Sequence, residues 1–391
     1  MKKKTHINKL AALLSATALA APVAVLADSH DENERVEVYG FVNLSVDWEG
    51  YDGFENPDDP DWNVPETEDG SLAMNTAVSH FGFRGQEELD GGLTAIYQAE
   101  VEWVYTGDGE GSPGNGEPIS QVRDSFVGLE GDFGRLTLGR QTFGNQFVYD
   151  GPNADWVGQA GTAGGVLALH APLSVPWDDV TNMDGFENVG GRLNNVVRYT
   201  SPDFGPIGVV ASIVPGGNGQ GDPDDHGYNM RVTYDDGAGI SGAATLWHID
   251  SFDGDEDMTL YSFGGRYEMD ALTFGAQFSG RSYDHDDETD ADDMGVSLGA
   301  MMPMGDTGRV KGILSHFMAD ESDSDYTTIA AGYDHIFSDR TELRFAVAAT
   351  LNDDKTNVTP HSYDMYGPSS GVIPNYDETH TTASVNLRHS F

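Results

Sequence analysis

From Thr381 to Phe391 the chain alternates without a break. Odd positions read Thr, Ala, Val, Leu, His and Phe, and even positions read Thr, Ser, Asn, Arg and Ser. A period of two turns one face of a strand toward an apolar surrounding and the other toward water. Val36, Val38, Gly40, Val42, Leu44, Val46 and Trp48 alternate in the same way with Glu37, Tyr39, Phe41, Asn43, Ser45 and Asp47. A strand facing hydrocarbon cannot leave its backbone edge unpaired. Two amphipathic strands at opposite ends of a chain therefore predict that they pair and close a barrel.

Between them, turn formers divide the chain into hairpins whose connections alternate short and long. Short ones fall at Leu89 to Gly92, Gly131 to Gly134, Pro202 to Pro206, Asp235 to Gly239, Met269 to Ala271, Gly305 to Gly308 and Ser338 to Arg340. Long ones fall near 49–71, 106–119, 142–190, 216–226, 251–257, 285–291, 319–325 and 353–376. Seven short turns and eight long connections predict an all-β fold, a sixteen-stranded antiparallel transmembrane barrel with short turns on the periplasmic side. Leu93 to Tyr105 and Leu343 to Thr350 alternate cleanly. Gln121 to Glu130 alternates poorly, because Asp124 shares a face with Phe126. The connection between Arg140 and Gly190 is too long for an idle loop. Folded inward, it would narrow a lumen wide enough for water.

The first 27 residues read as a secretory signal, which leaves 28–391 for the barrel. Lys2, Lys3, Lys4 and Lys9 precede an Ala/Leu-rich segment, and Val25-Leu26-Ala27 suits cleavage. No later stretch offers eighteen consecutive apolar residues. Cysteine is absent, which excludes a disulfide framework and thiolate metal sites. Loss of the four signal lysines leaves 16 basic against 65 acidic residues, a net charge of −49. Such a chain repels nucleic acid and raises the local concentration of cations. Most of the acids fall in connections, as in Asp52 to Asp69 and Asp284 to Asp293.

The motifs are familiar as an ordered set. Val36 to Phe41, Ser79 to Gly85 with Glu87 to Leu93, Arg123 to Leu129 and Phe133 to Gln141 resemble the general trimeric porins of Gram-negative outer membranes. So do Asn194 to Tyr199 with Ser201 to Gly205, Gly332-Tyr333-Asp334, and the closing Leu387 to Phe391. The resemblance implies an outer-membrane homotrimer among lipid and lipopolysaccharide. It also implies that the barrel assembly machinery reads a terminal signal at Phe391, and that the third loop sits inside the lumen. Carried over, the basic wall of the constriction is His80, Arg123 and Arg192. Parity adds Arg84 beside His80, and Arg198 beside Arg192. The acids available to face them on the loop are Asp150, Asp155, Asp178, Asp179, Asp184 and Glu187. Two positions depart from the family pattern: His80 replaces a customary arginine, and Phe41 a customary base.

The leading expectation is a passive channel for ions and small hydrophilic solutes, preferring cations, with no cofactor and no dedicated metal site. His285 and His226, each beside aspartates, read as loop residues. Alternatives are a solute-specific channel, a non-conducting structural or adhesive barrel, and an enzymatic barrel. The last needs an assembled Ser/His/Asp-type site, and no His-Glu-x-x-His occurs.

Overall fold

The computed structural model describes residues 23–24, 34–50, 71–76, 79–103, 119–143, 192–202, 204–215, 226–253, 256–284, 291–320, 322–356 and 378–391. They form one closed antiparallel sheet. The strands are β1 (Glu34–Gly50), β2 in two segments (Ser71–Thr76 and His80–Glu88), β3 (Thr94–Trp103), β4 (Ile119–Gly131), β5 (Gly134–Thr142), β6 (Arg192–Thr200), β7 (Ile207–Val214) and β8 (Gly227–Asp235). They continue as β9 (Ile240–Asp253), β10 (Glu256–Met269), β11 (Leu272–Asp284), β12 (Ala291–Met304), β13 (Gly308–Met318), β14 (Tyr326–Ser338), β15 (Thr341–Asn352) and β16 (Thr379–Ser390). The two segments of β2 lie end to end along β1 and act as one interrupted strand. Each strand pairs with the next, and β16 pairs with β1 from Thr381↔Gly50 to Ser390↔Phe41, giving sixteen strands without a free edge. A two-residue strand, Val23–Ala24, lies against β1 within the stretch the sequence marks as a signal.

Alternation decides which face is which. On β16, Val385 and Leu387 are 45% and 50% exposed, whereas Ser384 and Asn386 are buried. The same inversion holds around the wall, where Val127, Leu138, Leu246, Phe263, Leu298 and Val347 stand exposed outward. A soluble protein would bury these; a barrel presents them to lipid. Phe133, Tyr199, Phe204, Tyr234 and Tyr267 gather beside the short turns as an interfacial girdle.

The seam closes on a glycine. The backbone of Phe391 donates to Gly40 O at 3.0 Å and accepts from Gly40 N at 3.3 Å. A Cβ on Gly40 would stand 2.3 Å from His80 O and 3.0 Å from Phe391 Cζ. Glycine is required there by close approach, so that the terminal ring can lie over the strand.

Two local differences from the sequence reading have physical causes. Strand β4 is intact, but between the pairs Ala99↔Ser125 and Val101↔Val122 two of its residues oppose one of β3. This bulge reverses the alternation and accounts for the poor pattern around Asp124. The connection placed near 251–257 is shorter than expected, because β9 and β10 run on to Asp253 and from Glu256. Acidic residues read as loop there, yet a hairpin projecting into water tolerates them on both faces.

Candidate functional site

The inward face of the barrel carries the polar chemistry. On β1 and β2, Arg84 grips Glu37 with two N–H groups, at 2.7 and 2.9 Å, and its guanidinium lies 4.8 Å from the centre of the Tyr39 ring. The Tyr39 hydroxyl donates to Glu100 at 2.9 Å. Arg123, turned inward by the β4 bulge, donates to Glu100 and, at 2.7 Å, to Glu102. His80 Nε2 lies 3.7 Å from Glu100, and its ring packs edge-on against Phe41 at 4.3 Å.

The seam does not interrupt this arrangement. Arg388 on β16 stacks its guanidinium over Phe41 at 4.3 Å. On β15, Glu342 draws in Arg388, Arg344 and Arg309. On β14, the fully buried Asp334 pairs with Arg309 and, at 2.8 Å, with Lys311. Ion pairs and cation–π contacts thus run across strands β13 to β16 and β1 to β4, half the circumference. Guanidinium groups suit such a lattice because each donates in a fixed fork to two carboxylates.

The opposite arc is different. Val214, Trp247, Ile249, Met258 and Leu260 sit on inward positions of β7, β9 and β10, each no more than 1% exposed. Phe143, where the chain leaves β5 for its long connection, is equally buried, and its ring lies 5.8 Å from that of Trp247. Below them Arg198 donates to Ser212 Oγ at 3.2 Å and to Thr142 O.

Of the residues singled out from sequence, His80, Arg84 and Arg123 come together in one network on β1 to β4. Arg198 lies inward on β6, apart from them. Arg192 does not share its face. Asn195 is left-handed (φ 57°), and between Gly139 and Gln141 two residues of β6 oppose one of β5, so the alternation assumed from Arg192 to Arg198 breaks. Arg192 bonds Asp124 at 2.6 Å, whose carboxylate also accepts the Thr142 N–H at 3.1 Å. Thr142 and Arg140 fall on the parity of the exposed Leu136 and Leu138. The acids Asp150, Asp155, Asp178, Asp179, Asp184 and Glu187 lie outside the described residues.

Sequence reasoning passed over Arg309, Lys311, Asp334, Glu342, Arg344 and Arg388 as a group. A signal existed: Arg344 alternates with Leu343 and Phe345, Arg388 with Leu387, and Lys311 is one of two lysines after the signal. Only register could join them. The sequence also contains two Gly-x-Ser-x-Gly runs, Gly367 to Gly371, which lies outside the described residues, and Gly295 to Gly299. In the latter, Ser297 is fully buried in the middle of β12 and shares a hydrogen bond with Ser315 at 3.1 Å. A nucleophile elbow needs a sharp strand-to-helix turn, and an extended strand does not supply one.

Comparison with known proteins agrees with this architecture. The family model for Gram-negative porins matches residues 11–355. The chain is 26% identical to outer membrane porin protein 32 of Delftia acidovorans over 97% of its own length and 99% of the relative's. In fold it is similar to an anion-selective porin from Comamonas acidovorans, with a TM-score of 0.70 and 22% identity over 92% of this chain and all of that one. It is also similar to a trimer form of OmpT, an outer membrane protein of Vibrio cholerae, with a TM-score of 0.63 and 14% identity over 92% and 100% of the two chains. The barrel fold thus has solved counterparts, the family model covers most of the sequence, and the chain belongs to the Gram-negative porin family, channel proteins of the outer membrane.

Proposed function

We propose that this porin is a passive, water-filled channel for ions and small hydrophilic solutes, narrowed by the connection between β5 and β6 and weighted toward cations. The observation that carries the reading is the inward lattice of charge on β13 to β16 and β1 to β4, which keeps half the lumen polar. Support for the narrowing comes from the other arc. Apolar side chains no more than 1% exposed inside a wet tube need a protein cover, and Phe143, the last described residue before the long connection, packs against Trp247. The loop acids Asp150, Asp155, Asp178, Asp179, Asp184 and Glu187 would then stand across from His80, Arg84 and Arg123.

For selectivity, the described wall sets a base beside almost every inward acid, so the chain's acid surplus falls to its connections. Acids at the mouths raise local cation concentration, and at about 0.1 M salt they act over roughly 10 Å. The similarity to an anion-selective porin weighs the other way. Reversal potential under a tenfold salt gradient tests the point: a cation-weighted potential at pH 8 is expected, and an anion-weighted one rejects it. A histidine titrates near about 6.5 when unperturbed, so acidification should lower the preference in the wild type and less in His80→Ala.

The assembly proposed is a homotrimer. The polar cluster of Arg140, Asp124, Thr142 and Arg192 on an outward parity would be costly against lipid and is suited to a neighbouring subunit. Crosslinking in mild detergent should trap trimers; monomers alone would reject it. Residues 1–27 are proposed to be removed on export, to be checked by the mass of the purified protein. Phe391, paired to Gly40, is proposed as the assembly signal. Its deletion should lower surface levels strongly, and normal levels would refute that role.

A further inference from the structure

Above the lipid-facing part of β9 and β10 three side chains converge that the channel does not use. His248 and Asp250 fall on the parity of the exposed Leu246, and Asp257 on that of the exposed Tyr261, so all three face outward. The hairpin rises here toward its connection at 254–255, on the side of the long loops. One ligand atom from each residue lies within 4.8 Å of the other two, and among the described residues this is the one such group of three. His248 Nε2 is 2.9 Å from Asp250 Oδ1. The other ring nitrogen is already engaged: Nδ1 bonds Thr259 Oγ1 at 2.8 Å, directly across the ladder. The ring also stacks on Tyr228, with centroids 6.5 Å apart and planes at 22°.

We propose that His248, Asp250 and Asp257 form a divalent transition-metal site that clamps β9 to β10 at the outer margin of the membrane. A metal with nitrogen and oxygen ligands at about 2.1 Å in tetrahedral array separates those ligands by roughly 3.4 Å. Modest side-chain rotation reaches that separation from a group already within 4.8 Å. One imidazole and two carboxylates favour a first-row transition ion over calcium, which takes oxygens alone and more of them. Engagement of Nδ1 by a hydroxyl across the strand is the outer-shell support that fixes which nitrogen points at a metal. The location gives such a clamp a purpose, because the β9–β10 register breaks between Ile249 and Asp253, and a shared ion would bridge the strands where the ladder does not. Spacing in sequence hides the group: Asp257 follows His248 by nine positions, and only pairing brings them together.

A second histidine supplies an internal control. His316 on β13 bonds Thr327 through Nδ1 at 2.9 Å and faces Asp325 at 3.9 Å, the same construction with one acid and a longer reach. The experiment is calorimetric titration of the chelator-treated, detergent-folded channel with zinc chloride alone, with single-channel conductance reporting that each variant is folded. Wild type and His316→Ala should show one saturable site per chain above the weak background of acidic loops. His248→Ala should retain only that background, and Thr259→Val should bind about 10–100-fold more weakly. If His248→Ala does not conduct, Asp257→Asn at an exposed position replaces it with the same expectation. Superimposable titrations of wild type and the ligand variant would overturn the proposal, as would equal loss in His316→Ala.

Discussion

The two arcs of the lumen are built from the same strand geometry and meet different surroundings. From β13 through the seam to β4, inward positions carry linked Arg, Lys, Glu and Asp, with a small buried cluster of Ile313, Ala330 and Ala348 among β13 to β15. On β7, β9 and β10 the upper inward positions carry Val214, Trp247, Ile249, Met258 and Leu260, while β8 between them carries Asn229 and Arg231. In water the second set would be unfavourable by roughly 25 cal/mol for each Å² left wet, so it reads as a bed for protein. The first set would be unfavourable against an apolar cover, because buried charge must be paired and hydrogen-bonded. A passage lying against the charged arc, with protein seated against the apolar one, satisfies both.

The sharpest way to break that contrast is to disable one arc at a time. Asp334→Ala removes the fully buried partner of Arg309 and Lys311 and should cost about 3–5 kcal/mol in denaturant unfolding, with the open-channel conductance little changed. Trp247→Ala should cost a similar ~3–5 kcal/mol. It should also raise single-channel conductance or its noise, because the bed proposed for the β5–β6 connection is damaged. Equal conductance effects from the two variants would remove the distinction.

A smaller effect is expected at the seam that joins the charged arc to itself. Gly40→Ala places a methyl 2.3 Å from a backbone oxygen and against the Phe391 ring. Overpacking of this kind costs about 1–3 kcal/mol, and heat-modifiable gel mobility should show a lower unfolding temperature. Selectivity should respond on the charged arc alone. Arg123→Gln removes a base from between Glu100 and Glu102 and should move the reversal potential toward cations, more at 0.1 M salt than at 1 M, where screening shrinks to about 3 Å. Ser212→Ala on the far arc should leave it unmoved.

The smallest expected effect lies outside the lumen. Asp236, in the exposed turn between β8 and β9, accepts the N–H of Ile240 at 2.9 Å and of Ala238 at 2.7 Å, and these bonds hold its carboxyl below the usual carboxylate range. With the folded value depressed, its contribution is present above the unfolded pKa of about 3.9 and is lost as pH falls through the folded value. Asp236→Asn should flatten that part of the acid stability profile only slightly, because the group is fully exposed.

The barrel was legible because its governing rule is local. A period of two over β1 and β16, with turns rich in Gly and Asp, states both the strand and its sides. Legibility failed where one residue was inserted. The bulges opposite Glu100 and Arg140 shift parity without any marked residue type, and Arg192 and Asp124 were misaligned with their neighbours for that reason. The charged arc was half legible. His80, Arg84 and Arg123 stand in recognisable motifs, whereas Arg309, Lys311 and Arg344 become a network only through strand register. Net charge misled in a different way: a chain with about four acids per base after the signal still sets many of its bases on the inner wall.

The most direct test of the channel itself is conductance of the purified protein in a planar bilayer as salt is raised from 0.1 to 1 M. A water-filled passage along the charged arc predicts discrete ohmic steps whose size follows the bulk conductivity, with a cation-weighted reversal potential that weakens as screening increases. Insertion without conducting steps would contradict it.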